Sequence, residues 1–187
     1  MIGVLVSGSG TNLQALLDAD LSVVAVASNK PGAYALERAS HAGVATATFA
    51  LEEFGARIER DGAMADWLES CGVRLVVCAG YMHLLSPRFL ERFPSSVVNV
   101  HPSLLPAFPG MNAVDDALAA GVAATGVTVH YVDEGVDTGP VIEQVEVPIV
   151  EADTPESLHE RIHEVEHRLL PEVVGRLVEA IPSAATP

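Results

Sequence analysis

Short apolar runs and amphipathic stretches alternate along most of the chain. Residues 2–6 (IGVLV) read as a strand buried on both faces. The turn Ser7-Gly8-Ser9-Gly10-Thr11-Asn12 follows, and then Leu13, Leu16 and Leu17 at helical spacing. The alternation continues with a strand at 23–27, a helix at 33–42 stopped by Gly43, and a weak strand at 44–49. A long helix is predicted over 52–70, with Phe54, Ile58, Met64 and Leu68 as its inner face; the polar run 57–61 and Gly62 interrupt it. Residues 74–79 form the next apolar strand, and Ser86-Pro87 reads as the N-cap and first residue of a helix through residue 92. An apolar strand from Val97 enters a loop with three prolines, and a helix over 113–120 ends at Gly121. Strands alternating with helices spell a parallel α/β sheet.

The final third changes character. Residues 125–132 alternate like an antiparallel strand, with Val127, Val129 and Tyr131 on one face. A loop rich in acids and glycine spans 133–140, and a further strand spans 141–150, broken by Pro148. Two neighbouring strands with no helix between them predict a mixed sheet whose C-terminal strands are antiparallel. Residues 155–180 form an amphipathic helix capped by Thr154, with Ile162, Val165, Leu169, Val173 and Leu177 as its buried stripe. Residues 182–187 read as a frayed tail.

Composition narrows the function. A chain of 187 residues suits one domain with a sizeable core. No apolar run approaches the ~20 residues that span a bilayer. The N-terminus lacks the basic stretch of a signal peptide, and the two cysteines, Cys71 and Cys78, lack CxxC spacing. A cytoplasmic location is the expectation. The net charge of −15 argues against nucleic acid or an anionic membrane as partner. It does not exclude one small anion, because backbone N–H groups bind phosphate without side-chain charge. Lys30 is the single lysine against nine arginines.

Candidate chemistry gathers at strand ends. The first turn reads G-x-G-x-x-Leu, so the third glycine of a dinucleotide fingerprint is absent. Ser28-Asn29-Lys30 offers no acid for a ribose hydroxyl, and no Gly-Lys-Ser/Thr occurs. A phosphate or phosphosugar cradle is the better reading, against a glycine turn that merely starts a helix. Ligands of open α/β sheets bind beyond the carboxyl ends of strands. Met82, His83, Leu84 and Leu85 are therefore candidates for an apolar wall against a flat ligand, where ordinary core packing is the bland alternative. Asn99 and His101 lie two apart in a strand and share a face. Each alone is more simply a satisfied core polar group. Asp137, flanked by small residues, supplies the missing member: a carboxylate beside a histidine fixes its tautomer. An amide donor, a titratable base and an orienting acid are the parts of acyl transfer through a tetrahedral intermediate. With no serine or cysteine nucleophile beside them, direct attack by the acceptor is favoured. His159, His163 and His167 fall at i, i+4 and i+8 on the last helix. Two helical turns are too long for one ion, so they read as a solvated face, with Glu166 and His167 reaching towards a ligand.

The motifs GSGTN, AGYMHLLSP, NVHPSLLPAFPG and GVTVHYVDEGVDTGPVI, in this order over nearly the whole chain, resemble the phosphoribosylglycinamide formyltransferase family. Asn-x-His-Pro-Ser with a downstream V-D-x-G-P is shared by 10-formyltetrahydrofolate-using enzymes more widely; GSGTN in so short a chain is similar to the glycinamide ribonucleotide branch. The resemblance implies a Rossmann-like, mostly parallel α/β sheet with helices on both faces, antiparallel C-terminal strands and a long C-terminal helix. It implies a phosphate-binding N-terminal half and a folate-binding, catalytic C-terminal half. Asn99, His101 and Asp137 would be the catalytic trio. Gly10, Thr11 and Asn12 would cradle phosphate and ribose, and Glu166 would hold the glycinamide end. Arg57, Met82, His83, Leu84, Leu85, Asp133, Glu134, Gly135 and Val136 would form the folate site. No metal or tightly bound cofactor is implied; 10-formyltetrahydrofolate is a co-substrate and glycinamide ribonucleotide the acceptor. A homodimer is compatible with this. The alternatives are another formyltetrahydrofolate-dependent formyltransferase or deformylase, whose extra domains are not expected here, and a non-catalytic nucleotide-binding module. The resemblance also favours a cis bond at Leu105-Pro106.

Some positions depart from the family pattern. His83 stands where arginine or lysine is usual, Ala107 where lysine is frequent and Asn112 where histidine is common. Asp115 and Asp116 make the following helix acidic. With less positive charge at the substrate entrance, the Michaelis constants should be weaker, or rise more steeply with salt, than those of a more basic relative. Steady-state kinetics across ionic strength check this, and constants that match the relative's throughout would count against it.

Overall fold

The computed structural model describes residues 1–181; the predicted tail at 182–187 lies outside them. The described residues build a seven-stranded sheet in the order β3-β2-β1-β4-β5-β6-β7. The strands are β1 (Ile2–Val6), β2 (Val23–Ser28), β3 (Ala45–Thr48), β4 (Leu75–Cys78), β5 (Val97–His101), β6 (Ala124–Tyr131) and β7 (Val141–Pro148). β3, β2, β1, β4 and β5 run parallel, and β6 and β7 join antiparallel. The mixed sheet is the one the sequence predicts. β7 ends at Pro148, one residue before the Ile149 N–H makes a last bond to the Ala123 carbonyl at 2.9 Å.

Period-two alternation sends side chains into two cores. Ile2, Val4, Val6, Leu75, Val77, Val98 and Val100 pack with α1 (Thr11–Asp18), α2 (Tyr34–His41), α5 (Ala113–Ala120) and α6 (Pro155–Ala180). Leu5, Val76, Cys78 and Val97 pack with α3 (Arg57–Ser70) and α4 (Pro87–Leu90). Helices on both faces thus bury the central strands completely. Thr154 caps α6 through a reciprocal pair with Ser157, as its position predicts. In the stripe of α6, Ile162, Leu169 and Val173 are buried and Val165 and Leu177 half-buried. Among the described residues no helix is long and apolar enough to cross a membrane.

The predicted helix over 52–70 needs correction. Leu51–Glu53 is a separate 3-10 turn, and α3 begins only at Arg57. Ala56 is extended, with φ −154° and ψ 157°, so Gly55 and Ala56 break the two apart. Ile58 is 49% exposed and not part of the inner face. The buried positions are Arg60, Asp61, Gly62, Met64, Ala65 and Leu68, so the polar run supplies part of the inward face.

The strand order reverses around β1, whose neighbours are β2 and β4. Such a switch point opens a crevice at the carboxyl ends of the strands. The turn after β1 lies there. Its Gly10 adopts φ +74°, and a Cβ at that position would sit 2.5 Å from Cβ of Ala35 and 2.8 Å from its Cα. Gly10→Ala should therefore lower stability by about 2 kcal/mol, from left-handed strain plus overpacking. Urea unfolding measures it, and a midpoint equal to that of the parent protein would refute the close approach.

Candidate active site

A cavity of about 640 Å³ occupies the crevice. That is ample for one ligand of ordinary size. It is lined by the turn after β1, the ends of β4 and β5, the loop after β6 and one face of α6.

At one end, α1 presents its N-terminus. Gly10 is the N-cap, no side chain caps the helix, and its first turn holds no acidic residue. The first amides of α1 are therefore free to meet an anion. Arg38 holds the turn from outside, its Nε donating to the Ser9 carbonyl at 2.8 Å. Asn12 Nδ2 donates to Glu166 Oε2 at 2.9 Å and ties α1 to α6. Glu166 is 4% exposed. Burial pushes its carboxyl up, with the Asn12 hydrogen bond and the nearby His159 pulling the other way. His159 and His163 also line the cavity, whereas His167 does not. Each four-residue step turns the face by about 40°, so the third histidine has rotated away. Burial lowers the pKa of His163. Among the described residues no group of three or more His, Cys, Asp or Glu side chains is arranged to hold a metal ion.

Beside the turn after β1, the irregular segment after β4 forms a wall, tied to it where the Met82 N–H donates to Ser7 Oγ. Tyr81 and Leu85 turn inward and are buried, while Met82, His83 and Leu84 stand exposed at the cavity. Burial lowers the pKa of His83; Arg60 and Lys30 push the same way, and Asp61 opposes them. Lys30 is the one lysine or arginine among the lining residues.

The same cavity is lined by Asn99, His101 and Asp137. Asn99 and His101 share a face of β5, as their spacing predicts. Asp137 arrives from the loop after β6 in the left-handed region, φ 54°. Its Oδ2 accepts from the Gly110 N–H at 2.8 Å and lies 3.4 Å from His101 Nδ1. Its Oδ1 accepts from Asn99 Nδ2 at 3.4 Å. His101 Nε2 is 2.8 Å from the Phe108 carbonyl, which can only accept, so Nε2 carries a proton. Burial raises the Asp137 pKa, but the neighbouring His130, the Gly110 N–H and His101 outweigh it, and the net shift is downward. The loop after β5 is pinned by Thr128, whose Oγ1 donates to the Ser103 carbonyl at 2.6 Å and accepts from Leu105 N at 3.1 Å. The Leu105-Pro106 bond is cis, as expected.

The structure thus gathers Gly10, Thr11, Asn12, Met82, His83, Leu84, Leu85, Asn99, His101, Asp133, Gly135, Val136, Asp137 and Glu166 around one cavity. Arg57 and Glu134 are not brought in. Arg57 is exposed at the first residue of α3, and Glu134 is exposed in a turn that Asp133 closes by accepting from Gly135 N and Thr138 Oγ1. Sequence reasoning missed His130. It pairs with Asn99 across the β5–β6 ladder. Its Nδ1 lies 2.9 Å from the Tyr131 carbonyl and must donate there. Nε2, 3.2 Å from Asn99 Nδ2, is then left to accept. The alternation that buries Val127 and Val129 in one core leaves Thr128 and His130 for the opposite face. That polar pair was the available signal.

The formyl transferase family profile matches residues 1–174. Phosphoribosylglycinamide formyltransferase of Haemophilus influenzae is 42% identical over 184 residues, which span 95% of this chain and 87% of that protein. The trifunctional purine biosynthetic protein adenosine-3 of Drosophila melanogaster is 43% identical over 185 residues; the match spans 95% of this chain but only 14% of that longer protein. The crystal structure of glycinamide ribonucleotide transformylase 1 from Symbiobacterium toebii aligns with a TM-score of 0.94 at 46% identity, over 98% of this chain and 90% of that one. With the fold and the sequence both shared, the chain belongs to the formyl transferase family.

Proposed function

We propose that this protein transfers the formyl group of 10-formyltetrahydrofolate to the amine of glycinamide ribonucleotide, a cytoplasmic step of de novo purine synthesis. One observation carries the reading. The Asp137 carboxylate bridges the Asn99 amide and the His101 imidazole in the cavity that a free helix N-terminus and an apolar wall also line. Two different ligands, one phosphorylated and one flat, can meet at that point.

In this reading the phosphate sits on the amides of Gly10, Thr11 and Asn12, and Glu166 receives the glycinamide amine. The pterin lies against Met82, His83, Leu84 and Leu85, with Asp133, Gly135 and Val136 opposite. The amine attacks the formyl carbon directly. Its carbonyl oxygen becomes an oxyanion, which one N–H of Asn99 stabilises while the other N–H stays with His130 and Asp137. His101, oriented by Asp137, stabilises the same oxygen once its Nε2–H leaves the Phe108 carbonyl, and it relays the proton. The attacking amine loses that proton and the departing folate nitrogen gains it, so tetrahydrofolate leaves neutral at that atom.

An assay with both substrates, with formate release as the control for hydrolysis, tests the activity. Formate without formylated ribonucleotide would replace transfer by hydrolysis. His101→Ala is expected to lower kcat by about 10²–10⁴-fold, with circular dichroism and ribonucleotide binding unchanged. Turnover equal to the parent enzyme would remove His101 from the chemistry.

Glu166 gives a pH test. Its folded pKa lies above the ordinary carboxylate value. The native state therefore holds this proton more tightly than the unfolded chain, and the contribution to stability is present at low pH and lost as pH rises through the raised pKa. Glu166→Gln should remove that decline and also raise the Michaelis constant for the ribonucleotide. Thermal unfolding from pH 4 to 8 reads the first effect; parallel curves for parent and variant would contradict it.

A further inference from the structure

Behind the apolar wall lies a charge pair that formyl transfer does not use. Arg60 and Asp61, neighbours on α3, both have side chains 0% exposed. Arg60 Nε and Nη2 donate to Asp61 Oδ1 at 2.9 and 2.6 Å. Burying two ions carries a desolvation cost that their attraction offsets only with further hydrogen bonds, and apolar residues of similar volume are often as stable or more so. Stability alone does not account for the pair.

What apolar residues would lose is an acceptor. Asp61 Oδ2 accepts from the Ser86 N–H at 2.7 Å. Ser86 ends the wall segment, which belongs to no strand or helix and so has no ladder to fix its height. At the other end, Met82 N–H donates to Ser7 Oγ at 2.9 Å, and Ser7 in turn donates to Asn29 Oδ1 at 2.5 Å. Arg60 also lies under the wall, its guanidinium carbon 6.0 Å from the centre of the Tyr81 ring. Ser7 and Asp61 are thus the two clamps between which Met82, His83 and Leu84 are presented.

We propose that Asp61, held in place by Arg60, is a positioning residue that sets the wall against the flat ring of the formyl donor. This rests on the assignment of that wall to the folate. The pair touches neither substrate and acts only through the backbone of Ser86.

The decisive comparison is between two double variants of the whole protein. Arg60→Met with Asp61→Leu removes both charges and the acceptor. Arg60→Met with Asp61→Asn removes the charges but keeps an oxygen for Ser86. The first should raise the Michaelis constant for 10-formyltetrahydrofolate at least fivefold, with kcat and the constant for glycinamide ribonucleotide within twofold. The second should return the folate constant to within twofold of the parent value. An unchanged folate constant in the first variant overturns the proposal. So does a parallel loss in kcat and both constants, which marks a merely structural pair. Should the first variant not fold, Ser86→Pro deletes the backbone donor, at a φ of −77° that proline adopts, together with a buried hydroxyl that makes no hydrogen bond, and must give the same selective rise. Hydrogen exchange separates this proposal from the functional one. The Ser86 amide should lose protection in the first variant and keep it in the second whatever the substrates are, and equal protection in both refutes the clamp. A parent enzyme that forms no product from either substrate would instead refute the folate assignment.

Discussion

One carboxylate holds the centre of this molecule together. Asp137 sits in a left-handed backbone conformation that costs a non-glycine residue about 1–3 kcal/mol. The surroundings over-determine it: the Gly110 N–H, the Asn99 amide and two imidazoles converge on its oxygens. These groups come from β5, β6 and the loop after β5, and Asp137 itself from the loop after β6. Burial works against the charge, and the converging groups outweigh it. Neutralising this group would leave Asn99 and His101 on the same strand face but without a common partner.

The antiparallel turn of the sheet makes that convergence feasible. In a wholly parallel sheet the strand beside β5 would point its carboxyl end the same way, and a long crossover would separate the two. Here β6 runs back along β5, so His130 stands opposite Asn99 and Thr128 opposite His101. Thr128 pins the proline-containing loop, while His130 orients the Asn99 amide. The ladder that closes the sheet therefore also sets the polar groups at its mouth.

Electrostatically the cavity is unusual for one assigned to anionic substrates. The chain carries −15, and Lys30 is the only lysine or arginine among the lining residues. His83 does not supply the missing charge, because burial, Arg60 and Lys30 all favour its neutral form. The free amides of α1 remain as the principal positive feature where the phosphate is proposed to sit. Their dipolar field is short-ranged and falls off within the first turn, so it holds an anion in contact without attracting one from a distance. The acidic Asp115 and Asp116 on α5 do nothing to redress this.

The fold was largely legible in the sequence because its elements depend on contacts a few residues apart. Periodicity placed Asn99 and His101 on one face, and the glycines marked the turn before α1. The break at Gly55 and the inward turn of Arg60 and Asp61 were not legible, since a charged run reads as a solvated face until its buried partners are known. Arg57 and Glu134 were expected at the cavity and lie outside it, whereas His130 was not expected and lies inside. Asn12 meets Glu166 across 154 residues of chain. The sequence determined which side chains each strand and helix could present, because φ, ψ and side-chain period are local. Only the tertiary structure decided which of them meet, because the packing of β6 on β5 and of α6 on α1 depends on the whole core at once.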